Sequence, residues 1–227
     1  MSSSLLSFTL RIASSTRDLR DAAALRAEAY GHHLPAMATT LAEPDLLDHQ
    51  PGTVVLVCRD KASGAVVGTA RIQRNHPQPL LIERSLALPE PIASATRAEI
   101  TRLAVRPGAD PLLRPMLVKA CWLYAVAGQI RWLVIGARSE ALIRIYRGLG
   151  FADLLAEGER VPLAHAGGLP HRVLGFDILA AERTWHASGH ALYPLMAQTW
   201  HPDLQLLDLP YEVEAGAEAA PAEPIAA

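Results

Sequence analysis

Residues 98–105 read AEITRLAV, and their reading decides the fold. A run of Ile, Thr, Leu and Val has the composition of a buried β-strand. Yet the run carries Glu99 and Arg102. Side chains alternate across a strand, so the two charges point to opposite faces unless a bulge intervenes. They are therefore not placed to neutralise each other. An unpaired buried charge is very costly, so each needs a partner from elsewhere in the chain. The sequence offers them in matched numbers: Arg26 and Arg71 for Glu99, Asp45 and Asp48 for Arg102.

The segments around this strand have clear periodicities. Downstream, Pro111 starts a helix through LLRPMLVKACWLYAVAG, with Pro115 in its first turn. RWLVIGAR has no polar alternation and reads as a strand covered on both faces. SEALIRIYRGLG reads as a helix capped by Ser139, with Gly148 or Gly150 near its end. GFADL and HRVLGFDILAA read as strands, and 182–200 as a last helix. Upstream, FTLRIAS (8–14) alternates apolar and polar residues, and Thr16 caps the helical stretch TRDLRDAAALRAEAYG. TVVLVCR and AVVGTARIQR flank DKASG as a β-hairpin, and 75–97 is a proline-rich loop. The order β-α-ββ-β-α-β-α-β-β predicts an α/β (α+β) fold with a mixed, mostly antiparallel sheet and helices on both faces.

The chain has 227 residues, 50% hydrophobic and 19% charged, which suits one domain with a small extension. We expect a domain over 1–181, a helical extension over 182–211 packed on it, and a disordered Ala/Glu/Pro tail over 212–227. The formal net charge of -2 argues against a nucleic-acid partner. Cys58 and Cys121 make neither a disulfide framework nor a zinc spacing. No window of about 18 residues is continuously apolar, so no membrane span is expected. The N-terminus lacks a signal-peptide pattern, and the expected location is cytoplasmic. His186 and His190 have helical spacing, but no Glu stands in the H-E-x-x-H position and no metal site is expected.

Residues 99–151 resemble the GNAT superfamily of N-acetyltransferases: a strand ending in LAV, a helix, a strand, then a helix ending Tyr146-Arg-Gly-Leu-Gly150-Phe151. That resemblance implies a splayed pair of central strands. It also implies a glycine-rich loop whose amides cradle the diphosphate of coenzyme A. Here the loop reads RPGADPLLRPML, with Gly108 its one glycine and Pro107, Pro111 and Pro115 each lacking an N–H. The N-terminal half explains the departure. Leu25-Arg26 with Tyr30, Glu43-x-Asp45-x-x-Asp48, Gly68-x-x-Arg71-Ile72 and Glu99-x-Thr101-Arg102-Leu103-x-Val105 resemble four motifs of a narrower branch. That branch is the autoinducer (acyl-homoserine-lactone) synthases and the N-acyl amino acid synthases.

The resemblance implies an acyltransferase that draws its acyl group from the phosphopantetheine thioester of an acyl carrier protein, or from acyl-coenzyme A, with no tightly bound cofactor. Glu99 would be the general base that takes a proton from the amine of an amino acid acceptor. Tyr146 would be the general acid for the leaving thiolate. Arg26, Tyr30, Asp45, Asp48, Arg71 and Arg102 would surround the acceptor, with Arg26 or Arg71 holding its carboxylate. Backbone amides near Ala104–Arg106 would stabilise the oxyanion. Leu103, Val105, Leu117 and Val134 would line the acyl pocket. Arg106, Arg114, Lys119, Arg131, Arg144 and Arg147 form a basic set that would attract an acidic carrier. The rival readings are a lactone synthase that acylates S-adenosylmethionine, a coenzyme-A-dependent acetyltransferase, and a protein that binds an acyl ligand or acyl carrier without catalysis.

Overall fold

The computed structural model describes residues 2–3, 5–31 and 39–206. The expected tail over 212–227 lies outside them. Strand β1 is Phe8–Ile12, and α1 is Thr16–Gly31. The hairpin is β2, Thr53–Asp60, and β3, Val66–Arg74. Then come β4 (Arg97–Val105), α2 (Leu113–Ala127), β5 (Trp132–Ala137) and α3 (Glu140–Gly148). The chain closes with β6 (Ala152–Asp153), β7 (Val161–Leu163), β8 (Leu169–Asp177), α4 (Ile178–Ala187) and β9 (Leu204–Gln205). The main sheet runs β9-β1-β2-β3-β4-β5-β8-β6, with β7 paired to β8. Within that sheet, among the described residues, only β9–β1 and β4–β5 are parallel.

Local chemistry accounts for most boundaries. Ser15, one residue before the expected cap, accepts the Asp18 amide at 3.2 Å and donates to the Asp18 carboxylate at 2.9 Å. Its position leaves Thr16 as the first helical residue. Ser139 caps α3 through the Leu142 amide. Asp177 caps α4, so the last helix begins at Ile178 rather than 182. After Ala187 the chain turns, passes through a π-helical turn at Pro194–Gln198, and ends its described course as β9. Residue 181, where sequence reading places the domain's end, lies inside α4, whose Ile178, Ala181 and Trp185 join the main core.

The two faces of the sheet have different contents. One packs Leu10, Leu56, Ile72, Ile100, Leu133 and Ile135 against α2 and α4 in a large apolar core. The other carries α1 over Val55 and Val57. Beside α1, on the same face, Val134 and Val173 pack against Leu80, Ile82, Leu88 and Leu163. No helix among the described residues is long and apolar enough to cross a membrane.

Lys119 of α2 is buried in the apolar face, and among the described residues it forms no ion pair with a carboxylate. Its ammonium donates to the carbonyls of Leu195 and Thr199, each at 2.7 Å, and so clips the C-terminal segment to α2. Replacing Lys119 with Met should leave those two carbonyls without that donor and cost about 1–3 kcal/mol. Thermal melting and faster proteolysis within 190–206 would report the loss.

Candidate active site

The site begins with an irregularity in β4. Thr69 of β3 faces Ala104, but Arg71 faces Thr101, so one β3 residue opposes both Arg102 and Leu103. Arg102 takes φ 54° at this bulge. Glu99 and Arg102, an odd number of positions apart, are thereby brought to the same face of the sheet. The bulge also ends the central pairing. β4 and β5 pair only from Arg97 with Trp132 to Ile100 with Ile135, although both strands run on to Val105 and Ala137. The strands splay beyond that point.

The amide of Arg106 donates to the Val67 carbonyl at 2.9 Å. Alternation in an antiparallel ladder turns the Ala104 amide to the same neighbour and the Val105 amide toward the splay. Of the residues expected to hold an oxyanion, Val105 alone presents its N–H there. Across the gap the Tyr30 hydroxyl donates to the Leu103 carbonyl at 3.4 Å.

Charged residues gather on the α1 face. Arg26 donates to Asp48 Oδ2 at 2.7 Å, with both side chains enclosed. Arg71 Nη1 reaches both Asp45 oxygens at 2.6 and 2.7 Å and Asp48 Oδ1 at 3.4 Å. Its Nε donates to Thr101 Oγ1 at 2.9 Å. Arg102 lies 4.0 Å from Asp45 Oδ2. The carboxylates are themselves fixed: Asp45 and Asp48 form a capping box around the short 3-10 helix Leu46–His49. Burial works against the Asp45 anion, but Arg71 and Arg102 hold its carboxyl below the usual range. Arg102 is pushed down by burial and by Arg71.

This pairing differs from the sequence expectation. Arg26 and Arg71 serve the aspartates, not Glu99, and both are too enclosed to clasp a ligand, at 2% and 1% exposure. Arg102, with its long contact, is the cation facing outward. Three arginines and two aspartates leave one positive charge to be met by Glu99 or by an anionic ligand.

Glu99 is fully enclosed. Its Oε2 accepts the Ile82 amide at 2.9 Å, at the start of the 3-10 helix Ile82–Arg84. Its Oε1 stands 3.3 Å from His165 Nε2, on a second 3-10 helix, Ala164–Ala166. Burial raises the Glu99 carboxyl from 4.5 to about 7, against the lowering influence of the Ile82 amide and Arg71. Sequence reasoning missed His165, because a lone histidine in an irregular stretch has no periodicity or spacing to single it out.

The remaining candidates divide. Tyr146 is buried in α3 against Phe151, 5.8 Å between ring centroids. Burial and the nearby Tyr30 raise its hydroxyl above the ordinary value, while Arg114 pulls the other way. It is therefore a neutral O–H able to donate. Leu103, Val105 and Leu117 belong to the α2-side core, whereas Val134 faces the Leu80–Leu163 cluster on the other side. Strand alternation puts Leu133 and Ile135 where Val134 was expected.

The basic set is also divided. Lys119 is internal, while Arg131 pairs with Asp177, Arg147 with Asp153 and Arg106 with Glu28. His186 and His190 contact the rings of Tyr193 and Trp185. Among the described residues, no group of three or more His, Cys, Asp or Glu could hold a metal.

Two measurements check this site's energetics. Asp48→Asn should cost about 3–5 kcal/mol in urea unfolding, because Arg26 would remain buried without its carboxylate. Adding Arg26→Met should recover part of that loss. Between pH 4.5 and about 7 the folded Glu99 keeps a proton that the unfolded chain gives up, so its contribution to stability falls as pH rises. The melting advantage of Glu99→Gln should therefore grow across that window and level off above it. His165 is pushed down to about 4 by burial and Arg102, and gives the opposite trend in both proteins.

The family described as "FeeM: N-acyl amino acid synthase FeeM" matches residues 21–172. No curated protein sequence matches the chain. The structure of FeeM, an N-acyl amino acid synthase from uncultured soil microbes, superposes with a TM-score of 0.60 at 16% identity, covering 83% of this chain and 98% of that one. TofI, solved in a ternary complex with an inhibitor and MTA, gives 0.56 at 21% identity, covering 80% and 96%. An N-acetyltransferase from Staphylococcus aureus Mu50 gives 0.52 at 14%, covering 76% and 98%. These likenesses establish the GNAT fold. The family match runs from α1 through the ionic cluster and Glu99 into β8, and on it the chain belongs to the FeeM family of N-acyl amino acid synthases.

Proposed function

We propose that this N-acyltransferase joins a long-chain acyl group, delivered as the thioester of an acyl carrier protein, to the α-amine of an amino acid. The observation that carries the reading is Glu99: a carboxylate enclosed beside the splay, raised to about 7, with an outward-facing arginine on the same face. A base is most effective when its pKa lies near the working pH. Glu99, directly or through a water, takes the proton that an α-ammonium must lose before it attacks a thioester. Arg102 meets the acceptor's carboxylate. The Val105 amide donates to the oxyanion. Tyr146 supplies a proton to the departing thiolate.

The start of α2 supports a carrier-bound donor over free coenzyme A. Pro107, Pro111 and Pro115 offer no N–H, and the amides of Ala109, Leu112 and Leu113 are turned inward on Arg106 and Asp110. The Asp110 carboxylate, held by Ser7 Oγ at 2.5 Å, adds a negative charge where the superfamily receives a diphosphate. A thioester on a carrier's phosphopantetheine arm brings no such diphosphate into the protein. Cys58 and Cys121, free and buried, are compatible with a reducing cytoplasm.

The direct test incubates the protein with acyl-carrier and acyl-coenzyme A thioesters against a panel of amino acids and S-adenosylmethionine, with products read by mass spectrometry. An N-acyl amino acid formed from the carrier thioester is expected. A lactone from S-adenosylmethionine, or no product from any pair, would overturn the reading. Glu99→Gln should keep the fold and lose about 10²–10⁴-fold in turnover. In the unaltered protein kcat/KM should fall below pH 7, as Glu99 takes up its proton.

A further inference from the structure

Glu99 has few donors. The Ile82 amide donates to Oε2, and the Leu81 backbone also favours the charged form. Arg71, the cation on the neighbouring strand, spends its N–H groups on Asp45, Asp48 and Thr101. Oε1 itself makes no hydrogen bond among the described residues, and His165 Nε2 stands 3.3 Å away, off line for one. The two groups differ in access: the Glu99 side chain is 0% exposed and that of His165 is 15%. His165 is also held in place from both sides. The Ala164 amide donates to Ser85 Oγ at 2.9 Å, which ties its 3-10 helix to the one that Glu99 caps. Gly167 then ends the turn in the left-handed region at φ 68°.

The surroundings favour one protonation pattern. Arg102 and Arg71 face the imidazole from β4 and β3, and His171 faces it from β8, so a second ring proton is disfavoured. Glu83 and Arg71 bracket Glu99. The His165 Nδ1 is buried without a hydrogen-bond partner among the described residues. The Leu81 backbone also draws the ring proton, in competition with Glu99.

Resting on the reading of Glu99 as the base, we infer that His165 is its positioning residue: when Glu99 loses its proton, the neutral imidazole turns its Nε2–H onto the otherwise unpartnered Oε1 and holds the carboxylate in place. Ionisation of a carboxyl buried among apolar groups depends on donors to the charged form. Without His165, Oε1 has no side-chain donor among the described residues, and the base should stay protonated to higher pH.

Infrared titration of the purified protein follows the protonated-carboxyl band that disappears in Glu99→Gln. In the unaltered protein its midpoint should lie near 7. His165→Phe should move it up by about one unit or more, a roughly tenfold loss of ionised base at pH 7. His165→Gln, which can donate again, should bring it back, and melting curves confirm that each variant is folded. The acid limb of kcat/KM should move with the midpoint. A merely structural role for His165 lowers turnover at every pH and leaves the midpoint in place, and that result overturns the inference. A midpoint that moves while the acid limb stays fixed overturns Glu99 as the base instead.

Discussion

One extra residue in β4 sets the rest of the site. Because Ala70 opposes both Arg102 and Leu103, the strand turns away from β5, and the side-chain alternation shifts by one position. The first effect opens the sheet where a thioester arm can enter. The second brings Arg102 to the face that already holds Glu99, Thr101 and Arg71. A regular strand would have put Arg102 into the apolar core over α2, where no carboxylate could reach it. The left-handed backbone of a non-glycine residue at φ 54° is costly, and it is sustained by the ion pairs and packing around it.

The charges on that face are organised in two grades. Arg26, Arg71 and Asp48 are internal and paired with one another, with Arg26 bonded through Nη1 alone, and they hold α1 and the 45–49 turn against the sheet. Replacing such a cluster by apolar groups is often neutral for stability, so its retention fits a demand for a fixed arrangement of charge. Asp45 and Arg102 are the more exposed grade, at 36% and 16% of their side chains, and they form the outer edge of the cluster. Glu99 belongs to neither grade. It caps one short helix and touches a second, and its environment is set mainly by exclusion of water.

Much of this was legible in the sequence. The residues of the ionic cluster, the strand that bears Glu99, the hairpin and the helices α1 to α3 all follow from periodicity, caps and motif order. The pairing within the cluster did not. Which arginine meets which aspartate depends on a bulge, and AEITRLAV contains no glycine to mark one. An unbroken apolar strand hides which face each residue takes, so the sequence alone does not separate Val134 from Leu103 and Val105. Nothing in the sequence separates Lys119 from the carrier-attracting basic set, because the carbonyls it serves lie more than seventy residues away. His165 was missed for the same reason: its partner is distant in the chain and near only after folding.

The short strand β9 has a consequence for the outer border of the sheet. FTLRI of β1 alternates buried Phe8 and Leu10 with polar neighbours, and its outer side would otherwise present free backbone donors and acceptors. Leu204–Gln205 pairs in parallel with its Leu10 and Arg11, anchored where Asp203 accepts the Leu6 amide and pairs with Lys61. An unguarded ribbon of this composition is a template for strand-by-strand association of like chains. The segment after α4 therefore acts as a selvedge, keeping one molecule's sheet from being extended by the next.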